Sequence, residues 1–154
     1  MPSTLVIVSC GASKIWDKNP LAGPTPAKDA YIGPLFKLNR EYAERFSDRW
    51  MILSAKYGFI DPDFIIPENY NVTFKDPKTN PVSLNILREQ VHEMGLDKFD
   101  KIIVLGGKDY VDVILKAFQG LNVKIIAPLK GLSIGLAMKK VKDALRSGKP
   151  FEAA

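Results

Sequence analysis

The sequence predicts an α/β fold: a doubly wound domain of three layers, with a four-stranded parallel sheet in the order 2-1-3-4 between two layers of helices. Three observations predict it. Residues 5–8, 50–53, 101–105 and 123–127 are short runs dominated by aliphatic and β-branched side chains, as strands buried on both faces require. A segment with apolar residues at helical spacing follows each run. The alternation of strand and helix then implies parallel strands joined by crossovers.

Each element has its own signals. The run 5–8 has no polar alternation, so the first strand belongs at the centre of the sheet. Residues 15–34 hold Pro20, Pro24, Pro26 and Pro34 with Gly23 and Gly33, a density of breakers that predicts an irregular segment. Pro34 suits the first position of a helix over 34–46, with Leu35, Leu38, Tyr42, Ala43 and Phe46 on one face. Residues 50–53 form the second strand. Residues 57–81, with Pro62, Pro67, Pro77 and Pro81, predict a second irregular segment that walls a cleft. Ser83 caps a helix through Leu84, Leu87, Val91 and Met94, and Gly95 stops it. After the strand 101–105, Asp109 is expected to cap a helix containing Val111, Ile114 and Phe118. The strand 123–127 ends at Pro128, and the last helix spans 133–147.

Composition narrows the function. The chain has 154 residues, enough for one domain over 1–154 that buries roughly two-thirds of its unfolded surface. No apolar run approaches the roughly 20 residues of a membrane span, and the N-terminus lacks the basic and apolar pattern of a leader. A cytoplasmic protein with no membrane partner is expected. Cys10 is the single cysteine and His92 the single histidine, so neither a disulfide nor a cysteine zinc site is expected, and no cofactor is implied. The net charge is +5, and 122–149 carries seven basic residues against Asp143 alone. Such a basic segment suits an anionic partner, or it solvates the outer face of the last helix.

In a doubly wound sheet of this order, ligands bind beyond the carboxyl ends of the strands, where the first and third strands part. Three loops meet there. Ser9, Cys10, Gly11, Ser13 and Lys14 offer hydroxyls, backbone amides and an ammonium to a phosphate or carboxylate. The alternative is a tight turn with Lys14 in solvent. The glycine spacing is not that of a P-loop. Cys10 is a small strand-end residue whose only imidazole base, His92, lies inside a helix. Gly106 and Gly107 let a ligand approach the backbone ahead of a helix, with Tyr110 beside them. Ser54, Lys56 and Tyr57 end the second strand, and Lys56 and Tyr57 combine an ammonium with an aromatic face as the candidate catalytic pair. Asp61, Asp63 and Glu68 are the nearby carboxylates. Tyr31, ahead of Gly33, either stacks on a base or sugar in the cleft or plugs the space under the long loop. Gly131 and Gly135 flank the start of the last helix, facing the site or packing on the sheet.

The blocks Cys10-Gly11-x-Ser13-Lys14, Tyr31-x-Gly33-Pro34-Leu35-Phe36, Leu53-Ser54-Ala55-Lys56-Tyr57-Gly58, Gly106-Gly107-x-x-Tyr110 and Gly131-Leu132-x-Ile134-Gly135 occur in this order. With them the chain resembles a family of small α/β proteins of bacteria, archaea and phages. That family is distantly similar to the YaaA peroxide-stress proteins and to the uracil-glycosylase-like domain of archaeosine synthase. The resemblance implies a uracil-DNA-glycosylase-like fold and a nucleotide, nucleobase or nucleic-acid partner. It departs from true uracil glycosylases in having no carboxylate within 9–14 and no histidine after His92. The expected function is therefore an enzyme acting at a nucleobase or N-glycosidic bond. The alternatives are a non-catalytic nucleic-acid binder and a sensor of a small anionic nucleotide.

Overall fold

A computed structural model describes residues 3–152. In chain order the elements are β1 (Thr4–Ser9), α1 (Ile15–Lys18), β2 (Thr25–Pro26), α2 (Ala27–Ala30), α3 (Pro34–Phe46), β3 (Arg49–Ser54), β4 (Gly58–Ile60), β5 (Ile65–Ile66), α4 (Leu84–Glu93), β6 (Lys101–Leu105), α5 (Lys108–Ala117), β7 (Lys124–Ile126) and α6 (Ile134–Ser147). Single 3-10 turns lie at Pro77–Thr79 and Leu96–Lys98.

The main sheet has five strands in the order β4-β3-β1-β6-β7. β3, β1, β6 and β7 run parallel, and β4 returns antiparallel on the outer edge of β3. The sheet is therefore mixed, where the sequence predicts four parallel strands. β4 is only three residues long and closes directly on β3 through Ala55, Lys56 and Tyr57, so no separate apolar run announces it.

Leu5, Ile7 and Val8 of β1 are wholly buried because strands lie on both its sides and helices on both its faces. Side chains alternate across a strand, so the sheet builds two cores. Val6, Val8, Ile52, Ile103 and Leu105 point to one, with Phe36 and Tyr42 of α3 and Val141 of α6. Leu5, Ile7, Met51, Leu53, Ile102 and Val104 point to the other, with Leu87 and Val91 of α4 and Val111 and Ile114 of α5. Burying each such side chain stabilises the fold by about 1.5–3 kcal/mol. Pro34 starts α3, and Ser83 and Ser133 cap α4 and α6 through their hydroxyls. α5 begins two residues earlier than predicted: Gly107 is its cap, and Asp109 lies in its first turn, where its charge favours the helix dipole.

The two segments predicted to be irregular carry short regular pieces. α1, β2 and α2 fit between the prolines of the first because each proline sits at a boundary: Pro20 follows α1, Pro26 precedes α2, and Pro34 opens α3. The second segment supplies β4 and β5. A two-stranded ribbon of β2 and β5 ties the segments together, with Thr25 opposite Ile66 and Pro26 opposite Ile65. Among the described residues no helix is long and apolar enough to cross a membrane.

Candidate functional site

From β1 the chain crosses over α3 to β3; from β6 it crosses over α5 to β7, on the other face of the sheet. The two crossovers diverge, and a crevice opens beyond the carboxyl ends of β1 and β6. Cys10 extends the strand pairing, its amide donating to the Leu53 carbonyl at 3.0 Å. The Ser9 hydroxyl donates to the Leu105 carbonyl at 3.4 Å. A Cβ on Gly106 would lie 2.9 Å from the Ser9 Oγ and 3.0 Å from its Cβ, so a glycine is what lets these two loops meet.

Three neighbouring cavities share Cys10. One of about 270 Å³ is lined by the loop after β1, by Tyr110 and by Tyr70, Thr73 and Lys75. One of about 510 Å³ lies between Gly106–Tyr110 and the start of α6, with Leu129, Gly131 and Ala137 in its wall. The third, also about 270 Å³, lies between the Ser9–Ser13 loop and the first turns of α3.

Lys14 lines the first cavity and is 7% exposed. Its Nζ donates to the Ala12 carbonyl at 3.3 Å and lies 4.5 Å from the centre of the Tyr70 ring. Among the described residues no carboxylate oxygen lies within 4.0 Å of it. The same ring meets the Lys56 ammonium at 5.7 Å. Below it runs a chain of hydroxyls. The Ser54 Oγ accepts the Lys56 and Tyr57 amides, each at 3.2 Å, so its own hydrogen is free for the Tyr70 oxygen 2.9 Å away. Tyr70 in turn is hydrogen-bonded to Tyr31. Across the cavity Tyr110 meets the Cys10 Sγ at 3.5 Å. Burial first, and proximity to Cys10 second, push the Tyr31, Tyr70 and Tyr110 hydroxyls well above the ordinary phenol range. All three stay neutral hydrogen-bond donors through neutral pH. Among the described residues no three His, Cys, Asp or Glu side chains gather as a metal ion requires.

The profile of a family of unknown function, DUF6884, matches residues 5–143. The chain belongs to the DUF6884 family. The matched span runs from β1 into α6 and contains every loop of the crevice. The uncharacterised protein YfjM of Bacillus subtilis (strain 168) is 40% identical over 142 residues, covering 92% of this chain and 94% of its own length. Among solved structures, the crystal structure of AF0587, a protein of unknown function, superposes with a TM-score of 0.50 at 10% identity. It covers 99% of this chain, which spans 47% of that one; the likeness is one of fold.

In this DUF6884 chain, Ser9, Cys10, Gly11, Ser13, Lys14, Gly33, Gly106, Gly107, Tyr110 and Gly131 border the three cavities. Lys14 is not in solvent. Five predicted site residues lie elsewhere. Tyr31 is 1% exposed beneath the long loop, packed on Phe36, so its ring cannot stack on a ligand. Ser54 is buried and acts through Tyr70. Lys56 is exposed, and Tyr57 packs its ring on Phe64 and Tyr70; neither borders a cavity of the crevice, because the turn into β4 carries them past the sheet edge. Gly135 faces the outer side of α6, beside Lys139 and Arg146. Asp61 and Glu68 are exposed and Asp63 pairs with Lys28 at 2.8 Å, so none of these carboxylates enters the crevice. Sequence reasoning missed Thr73, Lys75 and Asn39, and took in Tyr70 only within the segment 57–81 that walls the cleft. For Asn39 a signal existed: it stands on the apolar stripe of α3, three residues after Phe36 and four before Ala43.

Proposed function

We propose that this protein binds a nucleotide, or one nucleotide unit of a nucleic acid, in the crevice between β1 and β6 and acts at its nucleobase or N-glycosidic bond. The observation that carries the reading is Lys14, a residue almost wholly buried beside a cavity and, among the described residues, without a carboxylate partner. The ammonium meets one carbonyl and one aromatic face, the latter worth about 0.5–2 kcal/mol, and has donors left over. A ligand phosphate would take them up, with Lys75 on the same wall. The nucleobase context rests on the resemblance to the uracil-glycosylase-like proteins, and a glycosylase-like fold and a cytoplasmic setting go with it.

The chemistry this favours is hydrolysis in which the C1′–N bond breaks, water gives its hydroxyl to C1′, and the departing base takes the remaining proton. Tyr110, neutral and in the wall of that cavity, would hydrogen-bond the base as negative charge develops on it. Among the described residues no carboxylate borders the cavity that Lys14 lines, and Asp109 lies in the wall of the adjoining one, so the reading rests on stabilising the leaving base.

Calorimetric titration tests the reading, using inorganic phosphate, UMP, AMP and a short single-stranded oligonucleotide on the wild type and on Lys14→Met. A nucleotide should bind the wild type and bind Lys14→Met about 10- to 100-fold more weakly, as expected for one charge-assisted hydrogen bond. No nucleotide binding, or equal binding by the variant, overturns it. A second reading, a nucleic-acid binder without catalysis, is favoured by α6, where Lys142 and Arg146 line an open groove with only Asp143, itself paired to Lys139 at 3.1 Å. Oligonucleotide binding that survives Lys14→Met and falls steeply with salt selects that reading.

A further inference from the structure

The charges around the first cavity do not balance. Its wall carries two ammoniums, Lys14 and Lys75, and, among the described residues, no carboxylate. A third, Lys56, stands 5.7 Å from the centre of the Tyr70 ring, which Lys14 meets at 4.5 Å. Among the described residues no carboxylate oxygen lies within 4.0 Å of any of the three. The neighbouring acids are engaged elsewhere: the Asp17 carboxylate accepts the Lys14 backbone amide at 2.8 Å, and that of Asp76 accepts the Lys78 amide at 3.0 Å. The adjoining cavity, which Lys75 also borders, adds Lys108 and Asp109, whose charges cancel. Like charges gathered in this way repel one another, and an aromatic ring shared by two of them relieves little of it. Neutral donors stand in the same wall: the Tyr110 hydroxyl, and the Gly11 and Ala12 amides, which donate to no acceptor among the described residues.

We infer that the crevice takes a terminal phosphate, a monoester dianion, in preference to an internal phosphodiester: Lys14 and Lys75 hold its oxygens, and Lys56 adds its charge beside the Tyr70 ring. A phosphate monoester carries a charge of about −1.5 to −2 at neutral pH and three acceptor oxygens. A diester within a strand carries a single charge. The second charge is what the unpaired ammoniums match. The inference rests on the reading of the first cavity as the phosphate site of a nucleotide, and it narrows that reading. A free nucleotide or the phosphorylated end of a strand fits, and a unit inside a strand does not.

The test is NMR titration at low salt of the wild type, Lys14→Met and Lys75→Gln with methyl phosphate and methyl sulfate, two probes of one shape that differ by a charge. Methyl phosphate should bind the wild type at least about tenfold more tightly than methyl sulfate, the gain of one charge-assisted contact. Lys14→Met should weaken methyl phosphate about 10- to 100-fold. Lys75→Gln, a change at an exposed position, should weaken it about 2- to 5-fold and methyl sulfate less. UMP, a 5′-phosphorylated single-stranded oligonucleotide and the same strand with a 5′-hydroxyl then identify the source. Lys14-dependent binding of UMP alone points to a free nucleotide, and of the phosphorylated strand as well to a strand end. Equal binding of methyl phosphate and methyl sulfate overturns the inference. Binding of the 5′-hydroxyl strand as tight as that of the phosphorylated one, and lost in Lys14→Met, also overturns it while leaving the nucleotide reading standing. Methyl phosphate binding through Lys14 without any binding of UMP or of either strand has the opposite result: it supports the monoester site and overturns the nucleotide reading. No binding of any probe overturns both.

Discussion

Gly58→Ala should destabilise the fold by about 3–4 kcal/mol, and the reason is local. Gly58 has φ +80°, a left-handed conformation that costs a residue with a Cβ about 1–2 kcal/mol. The new Cβ would also stand 2.2 Å from the Oε1 of Gln90. Gln90 has to leave, and with it go two hydrogen bonds: the Phe59 amide donates to its Oε1 at 2.9 Å, and its Nε2 donates to the Tyr57 carbonyl at 3.0 Å. Each is worth about 1 kcal/mol. For a protein of this size the melting temperature should fall by roughly 6–16 °C. Urea unfolding of the wild type, Gly58→Ala, Gln90→Ala and the double variant measures the parts. In the Gln90→Ala background the clash is absent, so Gly58→Ala should there cost only the backbone share, about 1–2 kcal/mol. A cost below about 1 kcal/mol in the wild type, or the same cost in both backgrounds, refutes the reasoning. The turn also holds Ser54 under Tyr70, so Gly58→Ala should weaken nucleotide binding more than an equally destabilising change in α4.

Two further outcomes follow from the hydroxyl chain. Tyr70→Phe keeps the ring against Lys14 but leaves the Ser54 and Tyr31 hydroxyls without their partner, which should lower stability by about 2–4 kcal/mol in urea unfolding; a change within about 0.5 kcal/mol would contradict the chain. Alkaline pH should unfold the protein. Because burial raises Tyr31, Tyr70 and Tyr110 above the phenol value of about 10 that they regain on unfolding, the native state holds more protons there, so stability is complete below about pH 10 and falls as pH rises past it. Phenolate absorption should appear together with loss of near-ultraviolet circular dichroism, and ionisation of all the tyrosines in a still-folded protein would contradict the assignment.

Much of the crevice was legible in the sequence. The apolar runs locate β1, β3, β6 and β7, because a strand buried on both faces needs unbroken apolar composition and leaves a strong signal. The loops after β1 and β6 follow, since a switch point is a consequence of topology and the small residues of those loops mark where backbones must approach. The Ser54–Gly58 block drew attention for Lys56 and Tyr57, yet its working atom in the fold is the Ser54 hydroxyl. A motif names residues without saying which way each points, and the return into β4 turned the two conspicuous side chains away. For Tyr31 the fold chose between the two readings: it plugs the space under the long loop, and its burial depends on the roof that Tyr70 and its segment lay over it.

Sequence alone determined the α/β class, the helices flanking the sheet and the polar loops at the strand ends, because these depend on periodicity and on residues close in the chain. Tertiary structure decided what meets in the crevice. Tyr70 and Lys75 come from a segment with no periodicity, Asn39 from a helix face otherwise apolar, and Lys14 from a loop whose sequence suits an anion site or a solvent-facing turn equally. Burial, pairing and the lack of a partner are properties of the packed molecule. Each depends on residues far apart in the chain, and no local pattern encodes them.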